Sequence, residues 1–315
     1  MEFTRRHAIG SVASFLGLSA GFRTTEADDL TPIRVGTVST DPGMQPFYAR
    51  DLGFFKDAGF DANVAILNNA SNIVAAISAG SLDVGQASVS PVALAHQHGI
   101  SIRFIAASGI YTGPIGNTIL MVSKKSTITS GADLSGKTIA IGILKDLTQF
   151  EASTWIDETG GDSKTVRFIE VRISEMPAVL EEGRVDAAVL IEPFVTTAKT
   201  TAKVLANLSD TMGGPYIISG WVSSDDWIRR NPEVVKRYAA VMKRAGIWAN
   251  AHPKESADIL VRYSKIRPDV AAAMHRMHYA EGSTIDPVTV QRPIDLLVRY
   301  GALTPFSAKD IIAAQ

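Results

Sequence analysis

The sequence contains one short phrase twice, at residues 80–85 (Gly-Ser-Leu-Asp-Val-Gly) and at residues 183–188 (Gly-Arg-Val-Asp-Ala-Ala). Each copy follows a segment with the periodicity of an amphipathic helix and precedes a small-residue or apolar run that ends at a proline. Each copy therefore predicts a helix that a left-handed glycine ends, a two-residue link and a buried strand. Two such units predict two α/β lobes of related topology, which present strand ends and helix N-termini to a shared cleft.

The order of the other patterns predicts how the two lobes are connected. Strand and helix patterns alternate from residue 33 to residue 107, which favours a mostly parallel sheet covered by helices. A turn-rich stretch at 108–116 is the best boundary, and the apolar segment 216–222 predicts a return crossing. Two crossings between lobes make a hinge. Beyond residue 224 the pattern is helical, with prolines at four expected helix starts: Pro232, Pro253, Pro268 and Pro287.

We therefore predict an α/β fold with two lobes, each built on a mostly parallel sheet flanked by helices. The first lobe is expected to contain residues 28–112 and, as a helical second part, residues 220–315. The second lobe is expected to contain residues 117–219.

Residues 1–27 predict an export signal rather than a part of the fold. Thr4–Arg6 is a charged segment, and Ala8–Ala20 is an apolar stretch too short to span a bilayer as a helix. The paired arginines indicate the twin-arginine route, although the residues after them depart from its usual pattern, so the general secretory route stays open. Cleavage is expected after Ala20 or after Ala27.

Composition narrows the class of partner and the compartment. The 31 basic and 32 acidic residues give a net charge of -1 without a basic stripe, so we expect a small-molecule ligand and no nucleic acid. The chain has no cysteine, and a protein of this size does not need disulfides for a stable core. A lipidation cysteine is absent too. We therefore expect a soluble, monomeric protein in the periplasm after removal of the signal.

The turn at residues 143–148 is the first candidate for ligand binding. It follows a predicted strand and precedes a helix, whose free N–H groups and dipole favour an acceptor or an anion. Lys145 adds a positive charge, and Asp146 or Thr148 is expected to cap the helix. An ordinary capped helix with a solvated lysine explains the same residues equally well.

Two segments of the first lobe and one of the second are further candidates for ligand binding, because each lies at a helix start or a strand end. Ser71 or Asn72 is a natural cap for the helix after the second strand. The loop Ser88–Ser90 follows the third strand, at the end where α/β sheets bind ligands, although capping alone explains most such serines. Glu192 ends the corresponding strand of the second lobe. It could accept from a ligand amine, steady the hinge, or be a solvated loop glutamate.

The sequence gives little support for a metal site or a catalytic site. His96 and His98 are two residues apart on a predicted helix and do not share a face, and His275 and His278 lack a third ligand nearby. No serine lies in a nucleophile-elbow pattern, and no phosphate-loop motif occurs. We therefore expect no metal, no cofactor, no catalytic residues and no enzyme activity.

The chain resembles the periplasmic substrate-binding proteins of ABC importers, in the sulfonate, nitrate, taurine and pyrimidine-precursor branch (SsuA/TauA/THI5-like, or NMT1-like). The resemblance covers nearly all of the predicted mature chain. The segments that carry it keep a characteristic order and spacing: Gln45–Phe55, Ser71–Ile77, Gly80–Gly85, Asp133–Ala140, Asp186–Val189, Glu192–Phe194 and Asn231–Lys236. It implies a two-lobed periplasmic binding protein fold of type II.

The resemblance also implies the site and the partners. Ligand contacts are expected from the loop before the first helix, from the strand-end segments and from the 143–148 turn: Asp41, Gln45, Ser71, Ser88, Val89, Ser90, Lys145, Asp146, Leu147, Thr148 and Glu192. A mono-anion or a zwitterion fits these residues better than a dianion. The bound protein would dock through both lobes on an ABC permease.

Two alternatives remain. Pyrimidine-precursor synthases share the fold, but they act on pyridoxal phosphate with a cysteine-rich motif that this chain lacks. A ligand-binding subunit of a sensory system would have the same sequence pattern as a transport protein.

Overall fold

A computed structural model describes residues 30–113, 116–282 and 284–314, so the predicted export signal lies outside the described residues. The described strands are β1 (Thr31–Thr37), β2 (Phe60–Ile66), β3 (Val84–Ala87), β4 (Ile102–Ala107), β5 (Ile110–Tyr111), β6 (Ile119–Ser123), β7 (Thr138–Ile141), β8 (Arg167–Glu170), β9 (Ala187–Leu190), β10 (Ala202–Asn207), β11 (Tyr216–Ile217) and β12 (Gly220–Ser224). The described α-helices are α1 (Gln45–Asp51), α2 (Phe54–Asp57), α3 (Ala70–Ser78), α4 (Val89–Gln97), α5 (Leu147–Glu158), α6 (Met176–Glu181), α7 (Phe194–Ala198), α8 (Asp225–Arg230), α9 (Pro232–Ala251), α10 (Pro253–Ser264), α11 (Pro268–Ala273) and α12 (Pro287–Arg299).

Two five-stranded sheets share one layout. The first has the order β2-β1-β3-β12-β4, and the second has the order β8-β7-β9-β6-β10. In each sheet four strands run in one direction, and one strand, β12 or β6, runs antiparallel between two of them. We call the parts built on these sheets the first lobe and the second lobe. The prediction of two mostly parallel sheets of related topology is confirmed.

The repeated phrase makes the same turn in both lobes. Gly80 and Gly183 adopt left-handed backbone with φ of 71° and 70°, a conformation that glycine adopts without the strain of a Cβ. The residue after each glycine donates its N–H to a carbonyl five residues earlier, Ser81 to Ala76 at 2.9 Å and Arg184 to Val179 at 3.0 Å. This is the Schellman closure of a helix, and it delivers the chain into β3 and β9, the central strands of the two sheets.

The repeated aspartate ties each central strand to its parallel neighbour in the sheet, β1 in the first lobe and β7 in the second. Asp83 accepts the N–H of Arg34 at 2.8 Å and donates its own N–H to the carbonyl of Arg34 at 3.0 Å. Asp186 makes the same pair of bonds with Thr138, at 2.8 Å and 2.9 Å. The phrase recurs because both lobes use the same turn and the same pair of hydrogen bonds from the aspartate.

The chain crosses between the lobes twice, as predicted. It leaves the first sheet after β4 and returns to it through β12, and β5 and β11 of the two crossings pair antiparallel. The predicted single return segment 216–222 is thus divided between β11 and β12. A third segment supports the crossings, because Ile110 donates to the carbonyl of His278 at 3.0 Å and Ala280 donates to that of Ser108 at 2.8 Å.

The C-terminal part is helical, as predicted. The four expected prolines are the first residues of α9, α10, α11 and α12. Helix α9 packs on α1 and β4 of the first lobe, whereas α12 contacts both α4 and the second lobe's α5. Within the described residues, no helix combines the length and the apolar character needed to cross a membrane.

Two predicted helix starts are wrong. Helix α3 begins at Ala70 because Asn69 caps it, with Oδ1 accepting the N–H of Asn72 at 2.9 Å, so neither Ser71 nor Asn72 is the cap. Helix α4 begins at Val89, so Val89 and Ser90 lie in its first turn and only Ser88 precedes it.

Candidate functional site

A cleft of about 470 Å³ lies between the two sheets. The described residues that line it come from both lobes and from the crossings. The apolar ones are Val38, Pro42, Ala70, Ile143, Leu147, Ile173, Val189, Ile191 and Ile218, and the uncharged polar ones include Thr40, Asn68, Asn69, Gln86, Ser88, Asn117, Thr118, Thr148, Tyr216 and Ser219. A concave site that combines apolar side chains with polar groups able to orient a ligand is typical of small-molecule sites.

The sheet layout explains why these residues meet. The carboxyl ends of the parallel strands in both sheets point at the cleft, and ligands of α/β sheets bind outside such ends. Six lining residues lie one or two positions after the end of a strand: Val38 after β1, Asn68 after β2, Ser88 after β3, Gly142 after β7, Arg172 after β8 and Ile191 after β9.

The start of α5 joins the two lobes at the cleft. The Leu147 N–H donates to the Oγ of Ser90 in α4 at 3.0 Å, and both residues are buried. Asp146 occupies the capping position, but its side chain makes no capping hydrogen bond. Its Oδ1 is shut off from solvent and has no hydrogen-bond partner among the described residues. Burial raises the pKa of Asp146, against the opposing effects of the Ser90 hydroxyl and the Leu147 N–H.

A second acid, Glu151, lies behind the cleft wall one turn further along α5. Its side chain is buried, and its Oε1 accepts the hydroxyl of the cleft residue Tyr216 at 2.7 Å. Burial raises the pKa of Glu151 to about 7, while the Tyr216 hydrogen bond opposes the rise and the nearby Asp146 adds to it. Sequence reasoning missed Glu151, because a glutamate within a helix is usually exposed to solvent. Its partner, Tyr216, lies 65 residues further along the chain and leaves no local pattern.

Four of the predicted contact residues line the cleft: Ser88, Asp146, Leu147 and Thr148. Lys145 is exposed with left-handed backbone (φ 60°), and it is not among the lining residues. Ser71 is exposed and also outside the lining, while Val89 and Ser90 are buried behind Ser88.

Gln45 serves the packing of the first lobe. Its Oε1 accepts the Ser108 hydroxyl at 2.6 Å and the Trp221 indole N–H at 2.8 Å, and its Nε2 donates to the Met242 carbonyl at 2.9 Å. The residue is fully buried. It therefore connects α1 with a crossing, with β12 and with α9, and the cleft lining does not include it.

Asp41 is buried beside the cleft in an ion pair with Arg276. The guanidinium Nη2 lies 2.8 Å from Oδ1, and the Met277 N–H donates to Oδ2 at 2.6 Å. Thr40 and Pro42, on either side of Asp41, line the cleft, although Asp41 itself does not. The pair therefore fixes the loop that supplies those two contacts.

Glu192 connects the second lobe to the segment that follows α11 and runs beside the crossings. Its carboxylate accepts from the Thr196 N–H and hydroxyl at 3.0 Å and 2.8 Å, and from the His275 N–H at 3.2 Å. It lines a smaller cavity beside the crossings instead of the main cleft. These contacts correspond to the hinge-steadying role that the sequence left open.

Arg172 is the basic residue that the structure brings to the cleft. It donates to Glu175 at 3.1 Å in a largely exposed pair. Sequence reasoning missed Arg172, although the residue lies two positions after β8, at the carboxyl end where α/β sheets bind ligands. In the described parts of the chain, no cluster of three or more histidine, aspartate or glutamate side chains is placed to hold a metal ion.

Two similar proteins are named as binding proteins. A Brucella abortus protein, named provisionally as a binding protein, is 27% identical over 248 residues, which cover 76% of this chain and 73% of the relative. The taurine-binding periplasmic protein of Escherichia coli is 28% identical over 192 residues, 60% of this chain and 58% of the relative.

The fold is that of solved periplasmic binding proteins. The alkanesulfonate-binding protein SsuA from Xanthomonas axonopodis pv. citri, bound to MOPS, matches with a TM-score of 0.74 and 17% identity, covering 90% of this chain and 99% of that one. At this identity the likeness shows the fold alone. A family model described as NMT1/THI5 like matches residues 43–256, which is more than half of the sequence. The chain belongs to the NMT1/THI5-like family.

Proposed function

We propose that this protein is an extracytoplasmic solute-binding protein, which captures a small polar or anionic organic molecule of the sulfonate, nitrate or pyrimidine-like class and delivers it to an ABC permease. The observation that carries the proposal is the cleft of about 470 Å³ between two sheets joined by two crossings. A ligand that contacts both walls stabilises the closed arrangement of the lobes. A permease that contacts both lobes can therefore distinguish the ligand-bound protein from the ligand-free protein.

Several features of the chain support the rest of the proposal. The export signal in residues 1–27 would carry the chain to the periplasm, where we place it as a monomer that acts without chemistry of its own. The proposed lobes are residues 28–112 with 220–315, and residues 117–219. The E. coli relative's name, a taurine-binding periplasmic protein, favours the same compartment and ligand class.

A thermal-shift screen tests the proposal. The chain without residues 1–27 is heated with sulfonates, nitrate, pyrimidines, amino acids or aromatic acids. A compound present at 100 times its dissociation constant should stabilise the protein by about 2.7 kcal/mol, because it binds the folded state alone. If no compound in the panel changes the melting temperature, this ligand class is wrong.

Gly142 offers a matched pair of variants that locates the binding. A Cβ at this position meets no atom within 4 Å, and the residue lines the cleft. Gly142→Ala should therefore leave both folding and binding intact, whereas the indole of Gly142→Trp should fill the cleft and abolish the ligand-induced shift. A normal shift in the Gly142→Trp variant would place the ligand elsewhere.

A further inference from the structure

The buried part of the cleft contains a glutamine whose amide has no partner. Gln86 lies on β3, the central strand of the first sheet, where it lines the cleft and is only 3% exposed. Within the described residues, its side-chain amide makes no hydrogen bond. The residue opposite it on β12, Trp221, donates its indole N–H to Gln45. The amide of Gln86 therefore offers an N–H₂ donor and a carbonyl acceptor that the fold itself does not use.

The amide of Gln86 is open to the cleft, unlike the polar atoms that are sealed inside the protein. Side-chain atoms that lack both solvent and a partner do occur among the described residues, for example on Asp146, but none of them belongs to Gln86. A molecule in the cleft can therefore reach this amide. Nearly all buried polar groups in native proteins have a partner, and an exception calls for an explanation. A ligand that fills the cleft would supply that partner.

The polar groups that a ligand can reach in the buried part of the cleft are uncharged. Among the described lining residues, Glu170 and Arg172 are exposed, and the free oxygen of Asp146 is closed to solvent. Thr40, which is 7% exposed, adds a hydroxyl that makes no capping hydrogen bond. A charged ligand group buried here would lose its hydration without gaining an opposite charge, whereas a neutral polar group can be satisfied by hydrogen bonds alone.

From the open, unpartnered amide of Gln86 we infer that the ligand carries an uncharged amide-type group, a carboxamide or a lactam, which pairs with Gln86 through its own N–H and C=O. This inference rests on the proposed function and narrows its ligand class to solutes that bury such a group. One amide complements another, because each supplies a donor next to an acceptor. A carboxylate or a sulfonate only accepts hydrogen bonds, so it would leave the Gln86 carbonyl without a donor.

The test compares compounds that present an N–H beside a C=O with analogues that only accept. Titration calorimetry at pH 8 uses two pairs, nicotinamide with nicotinate and uracil with pyrimidine. In at least one pair the first compound should bind roughly tenfold to a hundredfold more tightly, because its analogue leaves the buried Gln86 carbonyl unsatisfied. Gln86→Leu should erase that preference. Gln97→Leu, which removes a glutamine of α4 that bonds to Thr304 outside the cleft lining, should preserve it.

A second measurement separates ligand recognition from a structural role. Because the Gln86 amide makes no bond within the described fold, Gln86→Leu should leave the melting temperature of the ligand-free protein unchanged or raise it. Gln45→Leu is the matched control. It removes another buried glutamine of the first lobe, one that makes three hydrogen bonds, and it should lower the melting temperature by about 4 °C or more. A comparable loss in Gln86→Leu would mean that its amide supports the fold, which overturns the inference.

The binding results can overturn the inference as well. Equal affinities within both pairs would do so, as would a preference that survives in Gln86→Leu. Failure of both pairs while other compounds of the panel bind would also overturn it and leave the proposed function standing. Failure of the whole panel, these pairs included, overturns the proposed function itself.

Discussion

Replacing Asp41 with asparagine will lower the free energy of unfolding by about 3–5 kcal/mol, the usual result of removing one partner from a buried ion pair. The side chains of Asp41 and Arg276 are only 2% and 15% exposed. The asparagine keeps the shape, but it leaves the guanidinium uncompensated and turns an amide N–H₂ toward donors. Urea denaturation followed by circular dichroism measures the change through the transition midpoint.

A surface ion pair provides the control. Arg244 and Asp57 are joined at 2.8 Å, with side chains 53% and 57% exposed. Solvent screens such a pair, so Asp57→Asn should cost no more than about 1 kcal/mol. If Asp41→Asn and Asp57→Asn have the same small effect, the buried pair does not hold the first loop as we describe.

The Asp41 result matters for the cleft as well as for stability. Thr40 and Pro42 line the cleft, and the Tyr279 hydroxyl donates to the Asp41 carbonyl at 2.6 Å. The ion pair thus attaches the loop to the segment that runs beside the crossings. Asp41 acts on a ligand through this attachment, by positioning its neighbours.

Replacing Glu151 with glutamine will change how stability depends on pH. The folded protein keeps the Glu151 proton up to about pH 7, whereas the unfolded chain loses it near the ordinary value of 4.5. Between these values the folded state binds more protons, so the wild-type protein loses stability as pH rises, by up to about 1.4 kcal/mol per pH unit from this group. Below about pH 4.5 the group is protonated in both states, and above about pH 7 the whole penalty is present.

The free energy of unfolding of the glutamine variant, relative to that of the wild type, should therefore rise steadily between pH 5 and pH 7. Glutamine can still accept the Tyr216 hydroxyl, so the local packing is kept. The difference between the two unfolding free energies, measured by urea titration at several pH values, gives the effect directly. Glu158→Gln, an exposed change on the same helix, should follow the wild type. A difference curve for Glu151→Gln that is flat across this interval would contradict the buried, protonated carboxyl.

Local signals in the sequence predicted the fold well. Glycine stops such as Gly80 and Gly183 and prolines at helix starts act within one turn of chain, so they can be read without tertiary knowledge. The repeat of the glycine-to-aspartate phrase predicted the related lobes. The cap of α3 was mispredicted because Asn69, Ser71 and Asn72 are all good capping residues, and only the backbone conformation decides among them.

The site was predicted only in part, for a physical reason. Strand ends can be located from sequence, and they led to Ser88 and to the start of α5. The groups that set the electrostatics depend on partners far along the chain: Asp41 pairs with Arg276, and Glu151 with Tyr216. Neither pairing leaves a local pattern. Lys145 was predicted to contact the ligand because it is a cation near a helix start. It is exposed to solvent outside the lining, and Arg172 is the base that lines the cleft.

The central claim is that a solute binds between the two sheets, and a crystal structure of the chain with the most stabilising compound of the panel tests it most directly. The account predicts that the compound lies in the cleft, in contact with residues of both lobes. A compound found outside the cleft, or a cleft that holds only water at saturating ligand, would contradict it.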